Sequence, residues 1–146
     1  MVAVKIQREA LKVTSGDRLL KLETNFRKLA RLRPNFSASL DAASKSAKGL
    51  MRFREQSQEH HRITRSMLSL IDAYVRLHKK TMEGREIVLP ASMRTELERL
   101  KLHRGLTLVA PTRNLRKALD AHNRKRYQLH DRAARLIEKH GIEVTF

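Results

Sequence analysis

Apolar residues recur three and four apart along most of this chain, and the periodic runs are punctuated by short polar or glycine- and proline-bearing clusters. Val4, Ile6, Ala10, Leu11 and Val13 suggest a short first helix or an N-terminal arm over residues 1–16. Thr14-Ser15-Gly16-Asp17 reads as a break, with Ser15 or Asp17 able to cap the next helix. From Arg18 to Arg33, Leu19, Leu22, Phe26 and Leu29 form a seam suited to packing on another helix, and Pro34 stops it. Leu40, Ala43, Ala47, Leu50 and Met51 predict the next apolar face, starting at Ser37 or Ser39. A polar stretch from Arg52 to Arg65 comes after it, and then Met67, Leu68, Ile71, Tyr74 and Val75 restore the stripe. Two readings of residues 37–83 stay open. They form two helices, or one long helix bent in its polar middle, since neither Pro nor Gly forces a break between Glu55 and His61.

Glu83 to Glu86 reads as a loop, and Ile87-Val88-Leu89 as an extended connector before Pro90. Ser92 can cap a helix carrying Met93, Leu97 and Leu100, with Gly105 just past its end. Leu106, Leu108 and Val109 form a second connector. Thr112 to His140 reads as one long helix with Leu115, Leu119, Leu129, Ala133, Leu136 and Ile137 on its apolar stripe. Gly141 closes it, and Ile142, Val144 and Phe146 alternate in a tail over residues 141–146. The expected fold is therefore all-α, a bundle of five to six helices in a single domain over residues 1–146, with a long basic C-terminal helix.

Charge changes the picture most. The chain has 146 residues with 32 Lys and Arg against 15 Asp and Glu, a net charge of +17. That excess repels itself and attracts phosphate polymers or anionic surfaces. The C-terminal helix concentrates it: Arg113, Arg116, Lys117, Arg124, Lys125, Arg126, Arg132, Arg135 and Lys139 are answered only by Asp120, Asp131 and Glu138. Like charges four apart cost a helix, so a polyanionic partner is the simplest counterweight. The expected binding residues are Arg52, Arg54, Arg62 and Arg65 on the polar stretch, with Arg113, Arg116, Lys117, Arg124, Lys125, Arg126 and Arg132 on the last helix.

Catalytic and metal chemistry finds little footing. There is no cysteine, which rules out disulfides, thiolate ligands and a cysteine nucleophile and suits a cytoplasmic protein. Among the seven histidines, adjacent His60 and His61 would point about 100° apart on a helix, and no H-E-x-x-H occurs, so no metal is expected. Glu55 and Glu59 read as ion-paired surface, and Asp72 as a partner for Arg76. No P-loop, G-x-S-x-G or G-x-G-x-x-G is present, so neither an enzyme nor a cofactor is expected. Base stacking needs exposed aromatics beside cations; only Tyr127, next to Arg126, and Phe53, between Arg52 and Arg54, fit that pattern, and each reads as core or boundary rather than as a stacking platform. Contacts should therefore run to the sugar-phosphate backbone with little sequence specificity. No apolar run approaches membrane-spanning length, and the N-terminus lacks the continuous apolar core of a signal peptide.

In size, charge and helix content the whole chain resembles the helical small subunit of CRISPR effector complexes. That resemblance implies self-association in a row, docking on large protein subunits, and binding of RNA or displaced DNA. It assigns no individual residue. Two other readings compete. One is a phage or mobile-element DNA-binding or packaging protein, with a helix-turn-helix from Met93 onward presenting Arg113, Asn114 and Lys117; the stretch Gly105 to Pro111 is long for its turn. The other is a helical assembly protein docking on an acidic protein or membrane surface.

Overall fold

The computed structural model describes residues 2–34, 37–81, 88–102 and 112–142, with side chains from residue 16 onward except at 37, 38 and 81. Five helices succeed one another: α1 (Val2–Leu32), α2 (Ser37–Ala43), α3 (Ala47–Thr81), α4 (Ala91–Leu102) and α5 (Arg113–His140). Among the described residues there is no strand, so the all-α expectation holds. The loop at Glu83–Glu86, the Gly105 cap, the Leu106–Val109 connector and the tail residues Val144 and Phe146 lie outside the described residues.

Helix boundaries obey local chemistry, with three departures from the sequence reading. The break foreseen at Thr14–Asp17 is absent, because α1 runs unbroken through Gly16. A lone interior glycine costs a helix only about 1 kcal/mol, and no proline interrupts the segment before Pro34. The second departure is at residues 44–46, which divide the predicted apolar face at Ala43–Ala47. There the Ser46 hydroxyl accepts from Gly49 N–H at 3.0 Å and caps α3. α3 then runs straight through its polar middle, which settles residues 47–81 as one helix about 52 Å long. Met51 accordingly faces solvent at 62% exposure. Third, Ser92 lies inside α4 rather than at its cap, and the Pro90 carbonyl accepts from Met93 and Arg94 N–H at 3.1 Å.

α3 is the spine, with α1, α2 and α5 packed along it and α4 against α5. Gly49 is required there: a β-carbon would fall 2.1 Å from the Ala42 carbonyl oxygen where α2 crosses. α5 opens at Thr112, whose hydroxyl accepts from Leu115 N–H at 3.2 Å. It closes at Gly141, in the left-handed region at φ 62°, with Ile142 N–H returning to the Ile137 carbonyl at 3.0 Å. Ile142 itself packs against the main core.

That core joins Phe26 of α1, Ile63, Met67, Leu68, Ile71 and Val75 of α3, Met93, Leu97 and Leu100 of α4, and Leu129, Ala133, Leu136 and Ile137 of α5. A second, smaller cluster gathers Ala43, Phe53, Leu115, Ala118 and Leu119. Leu22 stays only half-buried, unlike Phe26. Arg33, just past α1, makes a two-pronged ion pair with Glu96 of α4 (Nη2 to Oε2 3.0 Å), with both side chains almost fully buried.

Candidate nucleic-acid interface

α3 and α5 lie parallel, side by side. Ser57 and His61 meet His122, Ser69 meets Arg132, and Asp72 meets His140, so both helices advance in the same sense. Asp72 also pairs with Arg76 at 3.1 Å, as expected from sequence. The two apolar clusters occupy different levels of this seam. Between them lies a polar level in which Ser57, His60, His61, Thr64, His122 and Arg126 are all buried.

Hydrogen bonding makes that level tolerable. The Ser57 hydroxyl lies within hydrogen-bond distance of His122 Nδ1, at 2.6 Å. His61 Nε2 approaches the same nitrogen to 3.0 Å, with the two rings 4.5 Å apart between centroids. Thr64 donates to the His60 carbonyl at 2.9 Å. Burial first, and then the positive charges of Arg33, Arg126 and neighbouring histidines, push His60 down to about 3. Burial, followed by His122, Arg126 and Arg65, does the same to His61, and burial with Arg126 pushes His122 down to about 4. The three rings are therefore neutral near pH 7. Among the described residues no cluster of His, Asp or Glu is arranged to hold a metal ion.

Small side chains on α5 hold the surface open above this level. A cleft of about 420 Å³ runs between the helices, lined by Arg54, Ser57, Gln58, His61 and Arg65 of α3 and by Lys117, Ala118, Ala121, His122, Arg124 and Lys125 of α5. An adjoining cavity of about 320 Å³ shares His61, Arg65 and Lys125 and adds Gln128, Leu129, Arg132 and Arg135. Together they make one furrow. Among the described residues no carboxylate lines either cavity.

The furrow gathers Arg54, Arg65, Lys117, Arg124, Lys125 and Arg132 from the residues expected on sequence grounds. Arg132 also donates to Ser69 at 2.9 Å. Arg52, Arg113 and Arg116 are exposed but do not line it. Arg62 is exposed and paired with Glu59. Arg126 points inward at 9% exposure, where burial lowers its pKa and the Glu96 carboxylate opposes that. It is a buried cation and not a surface contact, because its position falls on the inner face of α5 between His122 and Leu129. Sequence reasoning missed Arg135 as a furrow residue, together with Gln58, Gln128 and the Ser57–His61 part of the floor; His122, which reads from the sequence as a partly buried helix residue, is buried. The signal is a near-constant offset between residues of α3 and α5, which no single helix pattern displays. Phe53 is fully buried, whereas Tyr127 is 49% exposed, outside the core or boundary position expected for it.

The arrangement offers cations on both walls, the exposed amides of Gln58 and Gln128, and the methyls of Ala118 and Ala121. It suits an extended anion that crosses several charges at once. No protein-family model, curated protein or solved structure matches this chain.

Proposed function

We propose that this chain is a non-catalytic nucleic-acid-binding helical subunit of a ribonucleoprotein assembly. In this reading the furrow between α3 and α5 holds the sugar-phosphate backbone of RNA or DNA with little sequence specificity. One observation carries it: two adjoining cavities walled by cations from both helices, with no carboxylate among the described residues lining them. Apposed like charges raise the free energy of the unbound protein, and a phosphate chain relieves that cost while releasing its own counterions. The net charge of +17 acts in the same direction at long range. The resemblance to a CRISPR small subunit favours a place among larger protein subunits, with self-association along a nucleic acid. Among the described residues no helix is long and apolar enough to cross a membrane, and the cytoplasm is the proposed setting.

The test is equilibrium binding of single-stranded RNA, single-stranded DNA and duplex DNA, each in two unrelated sequences, over a range of salt. Backbone contact predicts similar affinity within each class and a steep loss with salt. A single preferred duplex sequence supports the helix-turn-helix reading instead. Failure to bind any of the three sends the basic face to an acidic protein or membrane surface.

A further inference from the structure

We propose that His61 is itself a phosphate ligand in the furrow, donating from Nδ1 to a phosphate oxygen and taking up one proton from solvent as the nucleic acid binds. The inference rests on the nucleic-acid reading above and adds a titrating residue to it. His61 is only 4% exposed, yet it lines both cavities of the furrow. Its Nδ1 is buried without a hydrogen-bond partner. Its Nε2 faces His122 Nδ1 at 3.0 Å, and the Ser57 hydroxyl lies 2.6 Å from that same nitrogen. In the tautomer that leaves His122 Nδ1 as the acceptor of this cluster, the single proton of neutral His61 sits on Nε2 and leaves Nδ1 bare, and we assign that tautomer. A buried polar atom without a partner, on a residue that lines a cavity, is a group that a ligand entering that cavity can satisfy. Phosphate oxygens only accept, so His61 meets one by gaining a second proton.

In the free protein the surroundings oppose that proton. From α3, Arg65 acts on the ring, His60 packs edge-on to it, and Arg54 lines the same cavity. From α5, His122 and Arg126 act on it, and Lys117, Arg124 and Lys125 line the cavity. Arg33 beyond α1 acts on the adjacent His60, and Glu96 of α4 is spent on Arg33 and Arg126. Burial first, and then His122, Arg126 and Arg65, push His61 down to about 3. A phosphate placed in the furrow offsets part of that positive field and supplies the acceptor. The folded free protein is therefore neutral at His61 and the complex is protonated, and by linkage the complex tightens as pH falls.

The experiment titrates the full chain with oligothymidylate, alone and paired with oligodeoxyadenylate, at fixed salt between about pH 6 and 8, where histidine is the side chain that ordinarily changes charge. Calorimetry in buffers of different ionisation enthalpy counts the protons. The expected result is affinity rising by up to about tenfold per pH unit as pH falls, with uptake approaching one proton. His61→Asn keeps a donor near the position of Nδ1 and cannot titrate, so its binding should lose the pH dependence. Imidazole resonances of the wild-type protein, with and without oligonucleotide, identify the protonated ring even if that variant fails to fold. Binding that is independent of pH, with no proton uptake, overturns the role of His61 and leaves backbone binding intact. So does a proton that settles on His60 or His122. Absence of binding at every pH, together with no binding of single-stranded RNA under the same conditions, overturns the nucleic-acid reading itself.

Discussion

The seam between α3 and α5 is built in two ways. Toward its C-terminal end, Met67, Leu68, Ile71 and Val75 meet Leu129, Ala133, Leu136 and Ile137, and the helices close on large apolar side chains. One level earlier, Ser57 and His61 of α3 meet His122 of α5, with Ala118 and Ala121 nearby, and a furrow lies between the helices. The same two helices thus hold the fold together at one level and expose a charged groove at the next. The furrow exists because its level gives up apolar packing for buried imidazoles and small side chains, while the apolar levels on either side keep the helices in register. Stability and proposed function are therefore separable along a single seam.

The sharpest break in the polar level should come from Glu96, the buried carboxylate that answers Arg33 and bears on Arg126. Glu96→Gln leaves two buried guanidinium groups without their counter-charge and should cost about 3–5 kcal/mol by denaturant unfolding. A loss under about 1 kcal/mol would mean that water solvates the pair. In the apolar level, Leu68→Ala should cost about 2–5 kcal/mol, since the side chain is fully buried. Oligonucleotide affinity of the folded variant should stay within twofold of wild type, an outcome set by its distance from the furrow lining. Gly49→Ala should destabilise by about 1–3 kcal/mol, although alanine is the better helix former, because its methyl would collide with the α2 backbone. A stabilised variant would show that α2 does not hold its place on α3.

Acid should distinguish the two levels without mutation. His60, His61 and His122 titrate in the folded protein at about 3, 3 and 4, against an ordinary value of 6.5. The unfolded chain therefore binds more protons at mildly acid pH. Stability is fully present above pH 6.5 and falls as pH drops toward the folded values. Melting temperature should already fall between about pH 6.5 and 5, before most carboxylates titrate. A constant melting temperature over that interval would mean that these rings are solvated and the polar level is open.

Much of the fold was legible in the sequence because it is written in a 3.6-residue period. Leu115, Leu119, Leu129, Ala133, Leu136 and Ile137 all proved buried, and Thr112, Gly141 and Pro34 mark helix ends where their chemistry puts them. The misreadings came from weak local signals. Gly16 and its neighbours resemble a break, yet their cost is small beside the propagation of a long helix. Ser44 to Ser46 do break the chain without glycine or proline, because Ser46 can cap α3 and Gly49 lets α2 lie close to it. The cations of the candidate site were visible as an excess, but their grouping was not. Which of them share a wall depends on the parallel pairing of α3 with α5. Histidine counts as polar in any periodicity, so the burial of His60 and His61 had no sequence signature, whereas His122 reads from the sequence as a partly buried helix residue and is buried.

The central claim is that cations on the furrow walls meet phosphates, and Arg124 and Lys125 test it most directly. Both are exposed on α5 and line the cleft, so Arg124→Ala with Lys125→Ala should change folding stability by no more than about 0.5 kcal/mol per site. The measurement is the dependence of oligonucleotide affinity on salt for wild type and for this double variant. Each phosphate contact contributes about −0.9 to the slope of log K against log salt on duplex DNA and about −0.7 on a single strand. The account predicts weaker binding to every sequence alike and a slope flattened by roughly one to two units. Normal affinity with an unchanged slope would contradict it, and would make the furrow a solvated or protein-facing surface.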